Sequence, residues 1–508
     1  MIQEFFVQLP SVLTPTNVLI LFATVVLGII FGALPGLTAT LGVALLTPVT
    51  YGLKLPTESV MVALLGMYVG AIYGGSHSAI MLNIPGTAAS AATAVEGYPL
   101  ARQGRGGEAI GTATVMSCFG TLAGMLAMLL VIPLLTRLTL QFSSVEFFLL
   151  ALFGVLICGS LTSPDTPAKG WLAGFLGLLM ATVGVDPLQG YERFTFGIAN
   201  LFDGIQPIPV LLGGFAMPQI IRSLKDPSAQ SVGALRVTRI LPRWSVLRRH
   251  VLLSLRSALI GVGVGTIPGV GEDVAAWMAY DAAKKTSRDK DLYGKGNMEG
   301  VIAAESANNA CIGGALVPLL TLGVPGSPPA AMLLGAILLC GIRPGPLLPQ
   351  EAPTFIPQMA AILFWASLTM LICGFAMAKI TVWVVQMPVA ILMPLVALFT
   401  VIGSYALDNS MFNVYLMLGF GLIAYFLEEM GYPIAPLVIG IILGPMADEN
   451  LRRAILVSGG SILPFFTRPV AVVLMLLVAY SLLGQTRLFR AAVAGVKSAM
   501  RAAWGGIR

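Results

Sequence analysis

Four Pro-Gly pairs interrupt apolar runs of this chain: Pro35-Gly36, Pro85-Gly86, Pro268-Gly269 and Pro325-Gly326. Proline and glycine inside such a run stop a helix and leave carbonyl and N–H groups without intrahelical partners. Small or hydroxylated residues follow each break: Leu37-Thr38-Ala39-Thr40, Thr87-Ala88-Ala89-Ser90, Val270-Gly271-Glu272-Asp273 and Ser327-Pro328-Pro329. A helix restarting after a break offers free N–H groups and the positive end of its dipole, which suits an anion. The carbonyls that end the helix before it suit a sodium ion. Hydrocarbon tolerates unpaired backbone only where it is buried in protein or lines a wet cavity. Kinks and close helix packing are the plainer alternative, but paired interruptions favour a binding site. The candidate substrate-binding backbone is therefore Pro35, Gly36, Thr38, Pro85, Gly86, Thr87, Pro268, Gly269, Pro325, Gly326 and Ser327.

Polar side chains within apolar runs extend this set, because they are expensive in a membrane. Gly74-Gly75-Ser76-His77-Ser78, followed by Asn83, leads to the second break, and Glu305-Ser306-Ala307-Asn308-Asn309 precedes the fourth. Asparagine and serine give neutral oxygens to a hard cation and donors to a carboxylate without a fixed charge. Asn83, Asn308 and Asn309 join the candidate substrate site, with interhelical hydrogen bonding as their alternative role. Asn83, Asn308, Glu272 and Asp273 are the candidate sodium ligands; Glu272 and Asp273 equally suit a helix cap. His77 is the histidine placed in an apolar stretch, so it is weighed as a proton relay against a packing role, whereas His250 lies among basic residues.

The elements that must hold these residues are helices. Apolar stretches run approximately over 16–34, 56–82, 108–136, 143–163, 167–185 and 203–222, then 250–267, 297–324, 353–386, 388–407, 410–430, 434–446 and 461–483. None alternates with period two over the ~10 residues of a barrel strand. Of the 508 residues 57% are hydrophobic and 10% charged, and the mean hydropathy is +0.89, whereas soluble domains carry ~25% charged residues. Spans of ~20 residues account for such a composition. The expected fold is an all-α polytopic membrane protein with about 11–12 transmembrane helices plus re-entrant hairpins. A cytosolic enzyme, a disulfide scaffold and a large extramembrane catalytic domain are excluded.

The chain also resembles itself. Gly32-Ala-Leu-Pro35-Gly36 recurs as Gly265-Thr-Ile-Pro268-Gly269 (268 − 35 = 233), and Leu82-Asn-Ile-Pro85-Gly86-Thr87 as Leu322-Gly-Val-Pro325-Gly326-Ser327 (325 − 85 = 240). Ala151-Leu-Phe153 with Val155 recurs as Ala397-Leu-Phe399 with Val401 (397 − 151 = 246). Matches in one order with slowly growing offsets mark a duplication. The expected organisation is a first transmembrane repeat over 1–235, a second, inverted one over 236–460, and an extra helix with a basic tail over 461–508.

Charge orients this frame. The formal net charge of +6 is spread over short loops and the tail, the positive-inside pattern, so it does not signal nucleic acid. Arg222, Lys225, Arg236, Arg239, Arg243, Arg248, Arg249 and Arg256, opposed by Asp226, form a basic linker, and Lys284, Lys285, Arg288, Lys290 and Lys295 a basic loop. Both are expected inside with the tail (Arg487, Arg490, Lys497, Arg501), and the N-terminus outside. An odd number of crossings per repeat inverts the second repeat. Phe489, Val493, Val496, Met500 and Trp504 would share one face of a helix lying on membrane lipid, or simply belong to a positive-inside tail. Met-Ile-Gln-Glu-Phe-Phe lacks the positive start of a signal peptide, so the first apolar run is expected to stay.

Cys118, Cys158, Cys311, Cys340 and Cys373 form no C-x-x-C pair and read as packing residues. The sequence has no H-E-x-x-H, G-x-S-x-G or Walker motif, so no enzyme activity is expected and no cofactor beyond sodium or a proton as coupling ion.

Phe31-Gly-Ala-Leu-Pro-Gly36, Ser78-Ala-Ile-Met-Leu-Asn-Ile-Pro-Gly-Thr87 with Glu96-Gly-Tyr-Pro99, Gly265-Thr-Ile-Pro-Gly269, Glu305-Ser-Ala-Asn-Asn309 and Leu322-Gly-Val-Pro-Gly326 together resemble the large membrane subunit of bacterial tripartite tricarboxylate transporters, the TctA-type family. That resemblance implies a secondary transporter of the bacterial inner membrane. It would work with a small membrane subunit and a periplasmic solute-binding protein that delivers a small carboxylate, driven by sodium or protons. A membrane-embedded enzyme and a channel-like ion pathway remain the alternative readings. Energetics favour cation coupling independently: one charge moved through 100 mV is worth ~2.3 kcal/mol, so a dianion entering a negative interior needs at least two monovalent cations to neutralise its movement.

Overall fold

The computed structural model describes residues 1–34, 36–163, 165–225, 240–384 and 389–483. In the first half, helices run α1 Ile2–Ser11, α2 Pro15–Ala33, α3 Ala39–Gly52, α4 Thr57–Leu82, α5 Ala91–Leu100, α6 Gly106–Thr139, α7 Ser144–Thr162, α8 Pro167–Met180 and α9 Pro207–Lys225. The second half holds α10 Trp244–Arg249, α11 Val251–Gly265, α12 Gly271–Thr286, α13 Met298–Leu322, α14 Pro328–Leu339, α15 Leu348–Glu351, α16 Phe355–Val384, α17 Val389–Ala406, α18 Met411–Glu429, α19 Ile434–Val457, α20 Pro464–Thr467 and α21 Pro469–Leu483. Among the described residues the strands are a two-residue hairpin, β1 Gly184–Val185 against β2 Glu192–Arg193.

The protein is an all-α polytopic membrane protein. Among the described residues seven helices are long and apolar enough to cross a membrane, with shorter apolar helices such as α3, α11, α14 and α21 beside them. Local chemistry sets many of the starts. Thr14 accepts from the Asn17 N–H before Pro15 at the first turn of α2, and Asn297 accepts from the Glu299 N–H to cap α13; side-chain caps of this kind satisfy donors the helix leaves open. α19 runs beyond the apolar stretch expected over 434–446. Its charged end is held by i,i+4 pairs, Asp448 with Arg452 at 3.0 Å and Glu449 with Arg453.

Two compact units divide the described residues, Met1–Leu140 with Gln206–Met430, and Gln141–Ile205 with 431–483. In the first, α4 and α13 are buried along almost their whole lengths. α2 packs on α4 and α11 on α13, in matching registers. A Cβ on Gly32 would come within 2.0 Å of the Ala71 carbonyl oxygen, and one on Gly265 within 2.6 Å of that of Cys311. Likewise Gly74 faces the Ile29 oxygen at 2.3 Å and Gly314 that of Val262 at 2.5 Å. The partners are displaced by the two offsets read from the sequence (311 − 71 = 240, 265 − 32 = 233). Small residues let backbones approach this closely where lipid supplies no hydrophobic drive between helices.

A second correspondence crosses the halves. In the first unit α9 packs on α17 and α18; in the second α19 packs on α7 and α8. One helix from one half therefore lies on two from the other, twice, with Gly213 against the Met417 oxygen in one group and Gly440 against that of Gly174 in the other. The second unit also holds an ion-pair network near its hairpin, where Asp186 pairs with Arg452 and Arg193 lies 2.8 Å from Asp448. Burial works against the charge of Asp186, but the N–H groups of Leu188 and Gln189 and the guanidinium of Arg452 hold its carboxyl below the usual aspartate range. The amphipathic tail over 489–504, Arg236, Arg239 and Asp226 lie outside the described residues.

Candidate functional site

All four breaks belong to the first unit. Two reasons for glycine operate there. Gly36 and Gly269 have φ of +92° and +73°, the left-handed region that side chains avoid. Gly86 and Gly326 serve closeness instead: a Cβ on Gly86 would come within 2.0 Å of the Gly32 oxygen, and one on Gly326 within 2.1 Å of that of Gly265. In each half the second break thus lies against the end of the helix that precedes the first. The second half adds hydrogen bonds between its breaks, from Gly269 N to Pro325 O at 3.1 Å and from Gly271 N to Gly326 O at 3.2 Å. Those two N–H groups are engaged within the protein.

The restarting helices then cross between halves. α14 packs on α3, and α12 packs on α5 and on the short turn Ala88–Ser90 before it. Tyr68 of α4 fastens this arrangement. Its hydroxyl bonds the Glu272 carboxylate at the start of α12 and stands 2.7 Å from Ser327 Oγ, which in turn caps α14 by accepting from the Ala330 N–H.

The expected site residues take different positions in this frame. Gly36 is half-buried, with the Gln219 amide where its Cβ would be, and Pro35 lies outside the described residues. Thr38 is exposed and caps α3 by accepting from the Leu41 N–H at 3.1 Å. Asn83 and Pro85 are exposed, while Gly86, Thr87, Pro268, Gly269, Pro325, Gly326 and Ser327 are buried. Asn83 ends α4 at φ +59°, and Gly323 ends α13 at φ +71°. Asparagine is the commonest substitute for glycine in that conformation, so a backbone need accounts for Asn83 beside any ligand role. Glu272 is buried and Asp273 exposed.

Asn308 and Asn309 are fully buried in the middle of α13. The amide Nδ2 of Asn309 donates to Thr121 Oγ1 at 3.0 Å. Asn308 lies fourteen residues before Leu322, the last residue of α13, ~21 Å along the axis, and it neighbours Glu305 rather than the fourth break. His77 Nε2 is 2.7 Å from Tyr73 Oη, which is 2.6 Å from Thr114 Oγ1, a buried polar chain between α4 and α6. Glu96 of α5 accepts from Tyr280 Oη and from the N–H groups of Gly294, Gly296 and Asn297 at 2.5–3.0 Å.

Sequence reasoning passed over Tyr68, Thr93, Ser117 and the carboxylates of Glu305 and Glu96 as site members. Charge alone flags the two glutamates, since a carboxylate inside an apolar helix costs more than an asparagine. Nothing in the spacing flags Tyr68, because its partners are 204 and 259 residues away. A cavity of about 850 Å³ opens at the other ends of α3 and α14 from their breaks, lined by Thr47, Thr50, Lys54, Thr57, Cys340, Asp408 and Asn409 among others.

Known proteins bear on this arrangement. A family model described as "Tripartite tricarboxylate transporter TctA family" matches residues 18–439, a span that contains all four breaks. A protein of Agrobacterium vitis described as "Uncharacterized 52.8 kDa protein in TAR-I ttuC' 3'region" is 36% identical over 466 residues, 92% of each chain. Another from the same organism, "Uncharacterized protein in TAR-II ttuC' 3'region", is 35% identical over 212 residues, 42% of this chain and 88% of that one. No solved structure matches the chain.

Proposed function

The chain belongs to the tripartite tricarboxylate transporter TctA family, a family of transporters and not of enzymes, and from that premise we propose that it imports a small di- or tricarboxylate across the bacterial inner membrane by cation symport. It acts as the large membrane subunit, alongside a small membrane subunit and a periplasmic binding protein that delivers the carboxylate. The site is formed by the four breaks and the side chains around them, between two inverted repeats over 1–235 and 236–460, with 461–508 as an added helix and cytoplasmic tail.

One observation carries this reading. The Tyr68 hydroxyl, from the first half, bonds both Glu272 and Ser327, which open the two restarting helices of the second half. Four interrupted helices held in one unit, each restart directing its dipole toward a break, form the kind of place where an anion is held in mid-membrane. The exchanged groups, α9 on α17 and α18, and α19 on α7 and α8, support two repeats that interlock. The position of Glu272 supports coupling: a carboxylate next to an anionic substrate repels it unless a cation comes too. With the N-terminus outside, the 850 Å³ cavity and its Lys54 face the side from which the binding protein delivers.

Uptake of labelled carboxylate into proteoliposomes, with partner subunits supplied and sodium and pH gradients imposed separately, tests the proposal. Saturable accumulation above the outside concentration is expected. Flux that only equilibrates would mark a channel, and no uptake under either gradient would end the transport reading.

A further inference from the structure

Glu305 stands about two turns into α13 and is fully buried. Its carboxylate oxygens accept hydrogen bonds from hydroxyls on two other helices, Oε1 from Thr93 of α5 and Oε2 from Ser117 Oγ of α6 at 2.8 Å. Among the described residues no ion pair includes it. Ser76 of α4 and Asn308, three residues along α13, stand beside the same carboxylate. Yet the Ser76 hydroxyl and both polar atoms of the Asn308 amide close no hydrogen bond of ordinary geometry, although both residues are fully buried. Protein interiors rarely leave such groups unsatisfied, and an unpaired carboxylate beside them is costlier still. A positive charge among these oxygens would offset the charge of the carboxylate and take the Ser76 hydroxyl oxygen and the Asn308 amide oxygen as ligands.

The donor set decides which charge. One carboxylate, three hydroxyls and one amide oxygen make an all-oxygen cluster with a single negative charge. Divalent ions in such surroundings recruit more carboxylates, and transition metals take nitrogen or sulfur. Among the described residues no group of three His, Cys, Asp or Glu could hold a metal ion, and Nε2 of the His77 imidazole is engaged by Tyr73 Oη. A proton would engage the carboxylate and leave the hydroxyl and amide oxygens idle, whereas a hard monovalent cation uses them all.

We propose that Glu305, Thr93, Ser117, Ser76 and Asn308 form a sodium site. On the transport reading above, on which this second step rests, that ion is the coupling ion. Thr93 lies on α5, the helix that restarts after Pro85-Gly86, and Ser76 on α4, the helix that ends before it. An ion drawing Thr93 and Ser76 toward Glu305 sets the angle of that break, so sodium and substrate raise one another's affinity reciprocally.

The test is sodium titration of the full chain purified in detergent, without substrate, at constant ionic strength against potassium, read as the thermal unfolding midpoint. Sodium should raise the midpoint saturably where potassium does not, Glu305→Gln should abolish the rise, and Asn308→Ala should move half-saturation at least tenfold upward. If Glu305→Gln fails to fold, Asn308→Ala and Ser117→Ala carry the test, since each removes a ligand and keeps the charge. A wild type indifferent to sodium overturns the site, as does wild-type half-saturation in Asn308→Ala and Ser117→Ala or a response to pH alone. Binding is measured apart from uptake, so a sodium site in a protein that moves no carboxylate would end the transport reading and leave the site standing.

Discussion

Gly86 lies so close to Gly32 that a Cβ would come within 2.0 Å of the Gly32 carbonyl oxygen, and Gly326 repeats the relation with Gly265 at 2.1 Å. Both contacts are to backbone, which cannot swing aside as a side chain can. Gly86→Ala and Gly326→Ala should therefore each destabilise by ~1–3 kcal/mol, the usual range for overpacking, and reduce uptake together with stability. Gly263→Ala is the control: it lies in α11 with nothing within 4 Å of a new Cβ, and alanine is the better helix former by up to ~1 kcal/mol. Thermal unfolding in detergent reads all three. An unchanged midpoint in Gly86→Ala would show that the break can open without cost.

Tyr68→Phe removes the hydroxyl shared by Glu272 and Ser327 and keeps the ring. A hydrogen bond to a charged group is worth ~1.5–3 kcal/mol, so uptake should fall about tenfold or more while the buried ring still supports the fold. Ser327→Ala instead leaves the Tyr68–Glu272 bond in place and removes the cap of α14, so it should cost stability by ~1 kcal/mol with a smaller loss of uptake. Initial uptake rates beside unfolding midpoints separate the two. Wild-type uptake in Tyr68→Phe would remove the tyrosine from the mechanism.

The fold class, the breaks and the offsets between halves were legible because each rests on local chemistry or on composition. The helices expected over 56–82 and 410–430 form as Thr57–Leu82 and Met411–Glu429, and the register of Gly32 on Ala71 returns 233 and 240 residues on. The length of α19 was not legible, since a window of charge ends an apolar run while i,i+4 pairing continues the helix. Nor was the crossing of halves that brings Tyr68 to Glu272, which is a property of packing between segments far apart in the chain. Within the site, weight fell on Asn308, whereas the costlier buried group three residues earlier, Glu305, is the centre on which Thr93 and Ser117 converge.

Asn83 can be tested for a role beyond its backbone. Its φ of +59° makes alanine strained there, so Asn83→Ala would mix strain with any lost ligand. Asn83→Gly separates them, because glycine already holds the corresponding place in α13 as Gly323. If the side chain contacts substrate, Asn83→Gly should keep its unfolding midpoint and lose uptake severalfold. Wild-type uptake in that variant would reduce Asn83 to a helix cap.

Glu96 fixes the basic loop before α13 to α5, accepting from Tyr280 and from the N–H groups of Gly294, Gly296 and Asn297 in that loop. These bonds place the loop over 287–297 against the helix that restarts after Pro85-Gly86. Glu96→Gln replaces one acceptor oxygen with an NH₂ group facing the donors already there, so at least one contact becomes repulsive. At ~1.5–3 kcal/mol for a bond to a charged acceptor, the loop should open about tenfold or more often. Amide hydrogen exchange at Gly294, Gly296 and Asn297 should quicken by that factor, with little change along α4 and α6. Because the same anchor meets α12 through Tyr280, slower uptake is also expected. Exchange at those three amides matching the wild type would mean that the loop is held by its other contacts, such as the one from Gln103 to the Lys295 carbonyl at 2.7 Å, and that Glu96 is dispensable to it.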